Sequence, residues 1–350
     1  MPAEIVIAGR RIGVGFPAYV VAELSANHNQ SFEQAVRIVH AAKDAGADAI
    51  KLQTYTADTI TLRSDKERFR IVGGPWNGRT LHDLYREAST PWEWQPKLKK
   101  IAEQLGMHCF SSAFDATAVD FLERMNVPAH KVASFELVDI GLIQKMASTG
   151  KPLIMSTGMA TEEEIAEAVK VARTAGAAQI ALLKCTSAYP APPEEANLRT
   201  IAELIRRFDC PVGLSDHTME IAVPVAAVAM GSCIVEKHLC LSRADGGPDA
   251  GFSLEPQEFK AMVDAVRVAE KALGSVQLAP GPEETASRKF RRSLFVTENI
   301  KKGELFTTQN VRSIRPSDGL HPRYLNDVVG QRAACDIERG TPLDWTMVAR

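Results

Sequence analysis

The 350-residue sequence has no long apolar run that could cross a bilayer. Its longest apolar stretch, residues 221–235, is interrupted by Pro224 and falls short of the roughly 20 residues that a membrane helix needs. The first twenty residues hold Arg10, Arg11 and several glycines instead of the apolar core of a secretion signal. We therefore expect a cytoplasmic protein with no membrane association.

Cysteine and net charge are also scarce. The six cysteines form no C-x-x-C pair, which argues against a disulfide framework and indicates reduced thiols. The formal net charge is -2, so no basic field attracts nucleic acid. The sequence also lacks a P-loop motif and a Gly-x-Ser-x-Gly elbow, which argues against a Walker-type nucleotide site and a hydrolase serine.

What the sequence does contain is a regular alternation of short apolar strands and amphipathic helices. We predict eight strands, at residues 19–24, 47–53, 107–111, 130–134, 152–157, 179–185, 211–215 and 232–238. The first helix, predicted at 31–45, has Ser31 to cap its start and Gly46 to end it. Eight strand–helix units predict a closed (β/α)8 (TIM) barrel. The alternative, an open doubly wound sheet, lacks its glycine-rich fingerprint after the first strand.

Composition divides the chain into three parts. We predict a barrel domain at 1–276, a proline- and glutamate-containing linker at 277–287 and a small, mainly β domain at 288–350. Short β-like runs at 293–296 and 311–314 support the last assignment, and its small size suggests that it docks onto something larger. The long connection at 54–90 is either a lid or a surface excursion.

Polar residues gather where each predicted strand ends. In a parallel barrel these ends converge on one mouth, where barrel enzymes carry out their chemistry. The residues concerned are Glu23, Lys51, Gln53, Ser111, Ser112, Lys131, Ser134, Glu136, Ser156, Thr157, Lys184, Thr186, Ser187, Ser215, Asp216, His217, Glu236, Lys237 and His238.

Two groups within this set suggest ligands. His217 and His238 end neighbouring strands, so two imidazoles could bind one divalent metal with open positions for substrate. Lys51, Lys131 and Lys184 end strands inside an apolar barrel, and a buried ammonium needs an anion. That anion is either a phosphorylated, carboxylated substrate or a set of internal partners, namely Glu23, Glu136, Asp216 and Glu236.

The motifs resemble those of the sialic acid synthase family, whose members condense phosphoenolpyruvate with acetamido sugars. The resemblance covers nearly the whole chain and rests on blocks at 22–29, 46–53, 111–115, 131–136, 156–159, 185–190, 213–218, 236–238 and 247–249. Residues 291–294 through 314–316 resemble the antifreeze-like (SAF) domain of that family. This resemblance independently implies a barrel followed by a small domain.

The resemblance also implies roles for individual residues. His217 and His238 would hold a divalent ion, Mn²⁺ first, with Mg²⁺ or Co²⁺ as alternatives, to polarise the sugar aldehyde. Phosphoenolpyruvate would be held by Lys51, Gln53, Ser112, Lys131, Ser134, Ser187 and Ser215. The sugar would be surrounded by Glu23, Glu136, Tyr189 and Asp249, and either glutamate could move the protons. In a domain-swapped homodimer, the SAF domain would cap the partner's barrel, so that Arg315 contacts the sugar.

Within the family, the sequence motifs are most similar to those of pseudaminic acid synthases, for example at 23–27, 52–56, 90–94, 117–123 and 252–256. Two positions depart from the family pattern. Ala113 replaces a usual proline, and Ser187 replaces the asparagine of sialic acid synthases, which argues against N-acetylmannosamine as substrate. The alternative functions are another nonulosonic acid synthase, for N-acetylneuraminate or legionaminate, a metal-dependent barrel aldolase, and a non-catalytic carbohydrate- or ice-binding protein.

Overall fold

A computed structural model describes residues 3–349 of the chain. The chain divides into two compact units, with the division in sequence between Gly274 and Ser275. No helix within residues 3–349 is long and apolar enough to span a membrane.

The first unit contains a closed barrel of eight parallel strands, as predicted. All eight predicted strands are present, and the last one pairs with the first. The barrel strands are β3 (Tyr19–Glu23), β4 (Ala49–Thr54), β5 (His108–Ala113), β6 (His130–Val132), β7 (Leu153–Ser156), β8 (Ile180–Cys185), β9 (Val212–Asp216) and β10 (Ile234–His238). In register, His238 lies opposite Glu23, and Glu23 lies opposite Lys51. Parallel pairing therefore brings residues that are distant in sequence to the same level of the barrel.

Helices surround the strands and bury their apolar faces against them. The first unit contains α1 (Phe32–Asp44), α2 (Ala57–Ile60), α3 (Leu81–Ala88), α4 (Gln95–Gln104), α5 (Ala116–Arg124), α6 (Ile140–Ala147), α7 (Glu162–Thr174), α8 (Thr200–Phe208), α9 (Ala222–Ala229) and α10 (Pro256–Leu273). The predicted cap of α1 is confirmed, because the Ser31 side chain accepts a hydrogen bond from the Gln34 backbone. Gly46 follows the helix with φ +89°, a conformation that suits glycine.

An N-terminal hairpin that the sequence did not predict packs at the amino ends of the barrel strands. It consists of β1 (Glu4–Ile7) and β2 (Arg10–Gly13), which pair antiparallel. Ile5, Ile7 and Ile12 are buried in the same core cluster as barrel residues. The backbone N–H of Val6 donates to the side chain of Gln179, which directly precedes β8. The hairpin therefore lies at the end of the barrel opposite the predicted mouth.

The long connection between β4 and α4 is ordered and contains α2 and α3. Tyr55 and Tyr85 contact each other edge to face, with ring centroids 5.7 Å apart. Further along the chain, the Trp76 indole N–H donates to the carbonyl oxygen of Pro248, over 2.7 Å. The connection is therefore attached to the loop that follows β10.

The second unit has its own small core. It contains α11 (Pro282–Ser287), β11 (Ser293–Val296), β12 (Val311–Ile314) and α12 (Leu325–Val328), and β11 pairs antiparallel with β12. The two predicted β-like runs are thus strands. The end of the segment predicted as a linker forms the short helix α11, for which Pro282 provides a favourable first residue. The buried residues include Leu294, Val296, Ile300, Phe306, Val311, Val328, Ala333, Ile337, Leu343 and Val348.

Candidate active site

The carboxyl ends of the barrel strands bring the polar residues together at one mouth. Many of them are buried even though they are polar or charged. Glu23, Lys51, Ser112, Lys131, Ser215 and His217 each have less than a tenth of their surface exposed. Burying so many polar groups is costly unless they pair with one another or with a ligand. The hydrogen bonds show which of the two applies to each residue.

Lys51 is one of the predicted anion-binding lysines, and it has internal partners. Its Nζ lies 2.8 Å from Glu23 Oε2 and 2.6 Å from Glu236 Oε1. Burial lowers the pKa of Lys51 to about 8, against the opposing effect of Glu236. Two carboxylates therefore balance the Lys51 ammonium group, and that of Glu236 also accepts a hydrogen bond from it.

Gln53 and Ser215, also predicted to bind the anion, extend the same network. Gln53 Nε2 donates to Glu23 Oε1 over 3.2 Å, and Ser215 Oγ donates to Glu236 Oε1 over 3.3 Å. For Lys51, internal carboxylates therefore provide the anions that a buried ammonium group needs. Glu236, which the sequence offered as one of the possible internal partners, connects Lys51 with Ser215.

Lys131 and Lys184 have no carboxylate partner within residues 3–349. Lys131 Nζ donates to the Val132 carbonyl over 2.8 Å and to Ser156 Oγ over 2.7 Å. Lys184 Nζ donates to the Cys185 carbonyl and to Thr186 Oγ1, at 2.9 and 3.1 Å. Neutral oxygens solvate both ammonium groups but do not balance their charge. An anionic ligand would therefore form strong, charge-assisted hydrogen bonds with these two lysines.

A group of small donors lies between the strands that carry these two lysines. The backbone N–H of Gly158 donates to Ser134 Oγ over 3.2 Å. A Cβ at position 158 would clash with the hydroxyl groups of both Ser134 and Ser187, so all three residues adjoin. Ser134, Ser187 and the Gly158 backbone therefore form a compact set of neutral donors.

His217 and His238 are neighbours, as their strand positions predicted. Their ring centroids are 5.3 Å apart. His217 Nδ1 donates to the Thr186 carbonyl over 2.9 Å, which fixes the orientation of its ring. His238 Nδ1 is buried without a hydrogen-bond partner. Burial lowers the pKa of His238 well below its usual value, and the charges of His217 and Lys51 add to this effect, so its ring is neutral. Within residues 3–349, no three histidine, cysteine or carboxylate side chains are grouped to hold a metal.

Glu136 and Asp249, predicted near the sugar, have different environments. Burial raises the pKa of Glu136 to about 7, and its Oε2 has no partner. One carboxylate oxygen of Asp249 accepts hydrogen bonds from Ser25 Oγ and from the Ala26 N–H. Glu136 is thus the free carboxyl group at the mouth, whereas Asp249 is held by the loop after β3.

Aromatic rings surround the two histidines. The Tyr189 ring lies 4.5 Å from that of His217, and the Phe252 ring lies 5.0 Å from that of His238. Tyr189 was predicted as a site residue, but Phe252 was noted only as part of a motif. Trp76, in the long connection between β4 and α4, contacts both Tyr189 and Phe252. No sequence pattern would have brought these rings together, because three separate loops carry them.

Five buried polar atoms at this mouth have no hydrogen-bond partner: Glu23 Oε2, Ser112 Oγ, Glu136 Oε2, Glu236 Oε2 and His238 Nδ1. The first of these still has the charge of Lys51 beside it. Unpartnered buried polar atoms are rare in folded proteins and mark places where a ligand completes the bonding. The mouth is therefore built to receive polar ligands.

Arg315 belongs to the second unit and follows β12. It lines a cavity of about 600 Å³ together with Arg291, Arg292, His321 and Pro322. Three arginines around one cavity make it strongly cationic. The other predicted site residues all belong to the first unit.

Comparison with known proteins identifies the family. The model of the NeuB family matches residues 38–278, and the SAF domain model matches residues 291–349. The chain belongs to the NeuB family. This result confirms the resemblance inferred from the motifs, including the C-terminal SAF domain and the expectation of a sugar acid synthase enzyme.

Individual members of the NeuB family extend the comparison. The pseudaminic acid synthase of Campylobacter jejuni is 47% identical over 325 residues, which cover 93% of this chain and 95% of that protein. The pseudaminic acid synthase of Helicobacter pylori is 43% identical over 335 residues, or 95% and 98% of the two chains. A crystal structure of N-acetylneuraminic acid synthetase from Leptospira borgpetersenii, in complex with citrate, superposes with a TM-score of 0.73. It is 30% identical and covers 82% of this chain and 95% of its own.

Proposed function

We propose that this protein is a pseudaminic acid synthase. It would condense phosphoenolpyruvate with 2,4-diacetamido-2,4,6-trideoxy-altrose and water to give pseudaminic acid and phosphate. One observation carries the proposal: Lys131 and Lys184 have no carboxylate partner and lie beside a group of neutral donors at the barrel mouth. The identities to two pseudaminic acid synthases, 47% and 43%, support the choice of product over that of the 30% identical N-acetylneuraminic acid synthetase.

Phosphoenolpyruvate carries a phosphate and a carboxylate, and the two unpaired lysines match those charges. Ser134, which the Gly158 N–H holds in place, and Ser187 would bind anion oxygens between them, together with Ser112, whose Oγ is unpartnered. Lys51 would direct a further N–H to the same ligand, while Gln53 and Ser215 hold its carboxylate partners in place. Cationic donors fixed before the reaction favour the departure of phosphate.

The two histidines fit a divalent metal ion. His238 Nδ1 is a neutral, unpartnered nitrogen, and the Thr186 carbonyl orients His217. We propose Mn²⁺, with Mg²⁺ and Co²⁺ as alternatives, because two imidazoles leave several coordination positions open for water and substrate. When bound, such an ion would supply Lewis-acid polarisation of the aldehyde oxygen.

Glu136 is our choice for the group that moves protons. A carboxyl group with a pKa of about 7 can begin protonated, donate to the aldehyde oxygen as the C–C bond forms, and then accept a proton from the attacking water. Carbon C3 of phosphoenolpyruvate would attack the aldehyde carbon, water would add at C2, and the C2–O bond to phosphate would break. Glu23 is engaged by Lys51 and Gln53, so we assign it to positioning.

The remaining proposals concern the sugar and the assembly. Tyr189 and Asp249 would contact the sugar from the barrel. Arg315, on the SAF domain of a partner subunit in a homodimer, would contact an acetamido group. The described chain contains six free cysteines and no disulfide, which supports the proposal that the enzyme works in the cytoplasm.

Phosphate release is the direct test. Purified protein is incubated with Mn²⁺, phosphoenolpyruvate and the altrose derivative, and phosphate and sugar acid are measured by colorimetry and mass spectrometry. We expect phosphate only when both substrates are present. Phosphate released without sugar, or a sugar acid cleaved without phosphoenolpyruvate, would contradict the synthase and favour a hydrolase or an aldolase.

The metal assignment has its own readout. His217→Ala and His238→Ala should lose bound Mn²⁺, measured by elemental analysis, as well as activity. His108→Asn is the matched control, because this histidine lies at the opposite end of the barrel and bonds to the Tyr19 hydroxyl. Equal metal content in all three variants would show that the histidines do not hold the ion.

A further inference from the structure

Beyond the histidines, the barrel mouth continues into a wall of three aromatic rings. Tyr189 and Phe252 contact each other at 5.0 Å between ring centroids. Trp76 contacts Tyr189 at 5.6 Å and Phe252 at 6.1 Å. The two histidine rings thus contact Tyr189 and Phe252, and these in turn contact Trp76. We call Trp76, Tyr189 and Phe252 the aromatic wall.

The indole of Trp76 has already used its only polar atom. Its N–H donates to the Pro248 carbonyl over 2.7 Å, which fixes the ring to the loop after β10. Trp76 is partly exposed, and what it presents to solvent or to a ligand is carbon surface. Phe252 has no polar atom, and the Tyr189 hydroxyl is near Ser187. The outer part of the wall therefore provides no hydrogen-bond partner for a hydroxyl group.

The position of the wall matches the far end of a six-carbon chain. If the aldehyde carbon lies at the histidine pair, an extended hexose reaches roughly 6 Å further, from single bonds of about 1.5 Å. The ring centroid of Tyr189 lies 4.5 Å from that of His217, and the ring centroid of Trp76 lies 5.6 Å from that of Tyr189. A sugar that follows the wall would therefore place its most distant carbon past the Tyr189 ring, on the side of the wall that Trp76 forms.

We propose that the aromatic wall, and Trp76 in particular, selects acceptor sugars whose terminal carbon is an unhydroxylated methyl group. This inference rests on the proposed function, whose acceptor is a 6-deoxy sugar, and assigns the selection of its methyl group to Trp76. A methyl group gains from contact with the apolar rings, whereas a hydroxyl group there loses its water without a replacement partner. Apolar pockets of this kind discriminate against an added hydroxyl by about tenfold to a hundredfold.

Two acceptors that differ only at C6 test the proposal. They are 2,4-diacetamido-2,4,6-trideoxy-altrose and the same sugar with a 6-hydroxyl group. For the wild-type enzyme we expect kcat/KM to favour the 6-deoxy sugar by about tenfold or more. Trp76→Ala should lower this ratio towards one, mainly by reducing turnover of the 6-deoxy sugar. Trp76→Phe keeps an apolar ring and should retain most of the ratio.

Several controls separate the possible outcomes. Trp92→Phe removes an indole N–H that donates to the Tyr55 carbonyl, outside the aromatic wall, and should leave the ratio unchanged. The KM for phosphoenolpyruvate and the unfolding midpoint show whether Trp76→Ala damages the whole site. A Trp76→Ala variant that loses activity equally with both sugars overturns the inference, as does a wild-type enzyme without preference. A wild-type enzyme inactive with both sugars instead contradicts the proposed function.

Discussion

Lys51 Nζ lies 2.6 Å from Glu236 Oε1 in the interior of the barrel, and Glu23 lies on the neighbouring strand, 2.8 Å from the same nitrogen. One cation is thus shared by two carboxylates. Lys131, on the strand beyond β5, is equally buried but has only neutral partners in the described chain. Removing Lys51 would leave two buried carboxylates without a cation, whereas removing Lys131 would leave only neutral oxygens without a donor. The free energy of unfolding should show this difference.

Lys51→Met should destabilise the fold strongly. It leaves the carboxylates of Glu23 and Glu236 buried without a cation, and breaking such a pair typically costs about 3–5 kcal/mol. The free energy of unfolding from urea titration measures the effect. Adding Glu236→Gln to Lys51→Met should recover part of the loss, because one uncompensated charge is removed.

The control for this prediction is Lys145→Met. The Lys145–Asp120 pair is on the surface, with 35% and 55% of the two side chains exposed, so its loss should cost less than about 1 kcal/mol. If Lys51→Met and Lys145→Met changed stability equally, the shared ion pair would not contribute as described.

Lys131→Met should weaken the binding of phosphoenolpyruvate without a comparable loss of stability. Removing a buried cation that has no carboxylate within hydrogen-bond distance should lower the free energy of unfolding far less than Lys51→Met does. Binding of phosphoenolpyruvate should weaken by about ten- to a hundredfold, since a charge-assisted hydrogen bond is worth about 1.5–3 kcal/mol. Isothermal titration calorimetry with phosphoenolpyruvate and Mn²⁺ measures the affinity. An unchanged affinity would remove Lys131 from the anion site.

These lysines also show what the sequence could predict. The alternation of strands and helices predicted the barrel, and parallel topology then predicted that strand-end residues share one mouth. Charge counting could not decide whether Lys51 or Lys131 had internal partners. That depends on which residues point inward at the same level, and on the register that places Lys51 opposite Glu23.

Features that depend on long-range contacts were not predictable. The strands of the N-terminal hairpin have four residues each, too few for a periodic pattern. Trp76 approaches Phe252 only because its connection is hydrogen-bonded to the loop that carries Pro248. Helix α11 lies in a segment whose prolines suggested a linker, although proline is favourable in a first helical turn.

The pH dependence of the reaction should follow Glu136. Burial raises the pKa of its carboxyl group to about 7, with Lys131 opposing the rise and Asp139 adding to it. The neighbouring phenols, Tyr85 and Tyr189, have pKa values above the usual one and stay neutral in this range. If the protonated form starts the reaction, kcat/KM should fall as the pH rises through about 7.

Two variants check this assignment. Glu136→Gln should lose most activity and show no such decrease near pH 7. Asp139→Asn removes a charge that raises the pKa of Glu136, and it should move the decrease to lower pH while still capping helix α6. The free energy of unfolding should also depend on pH. Because the protonated carboxyl group suits this buried position and the carboxylate does not, wild type should lose stability relative to Glu136→Gln as the pH rises from about 4.5 through about 7. An unchanged pH profile in Glu136→Gln would assign the proton transfer to another group.

Mixing two inactive variants tests whether Arg315 acts in the site of a partner subunit. Arg315→Ala keeps an intact barrel, and His238→Ala keeps an intact SAF domain. In a homodimer with exchanged domains, each mixed dimer has one site in which both parts are native. Random mixing of equal amounts should restore about a quarter of wild-type activity, since half of the dimers are mixed and each has one working site of two. If Arg315 instead contributed to the site of its own chain, the mixed sample would have no more activity than the average of the two variants. The restored KM for the sugar should match wild type, because the working site contains every native residue.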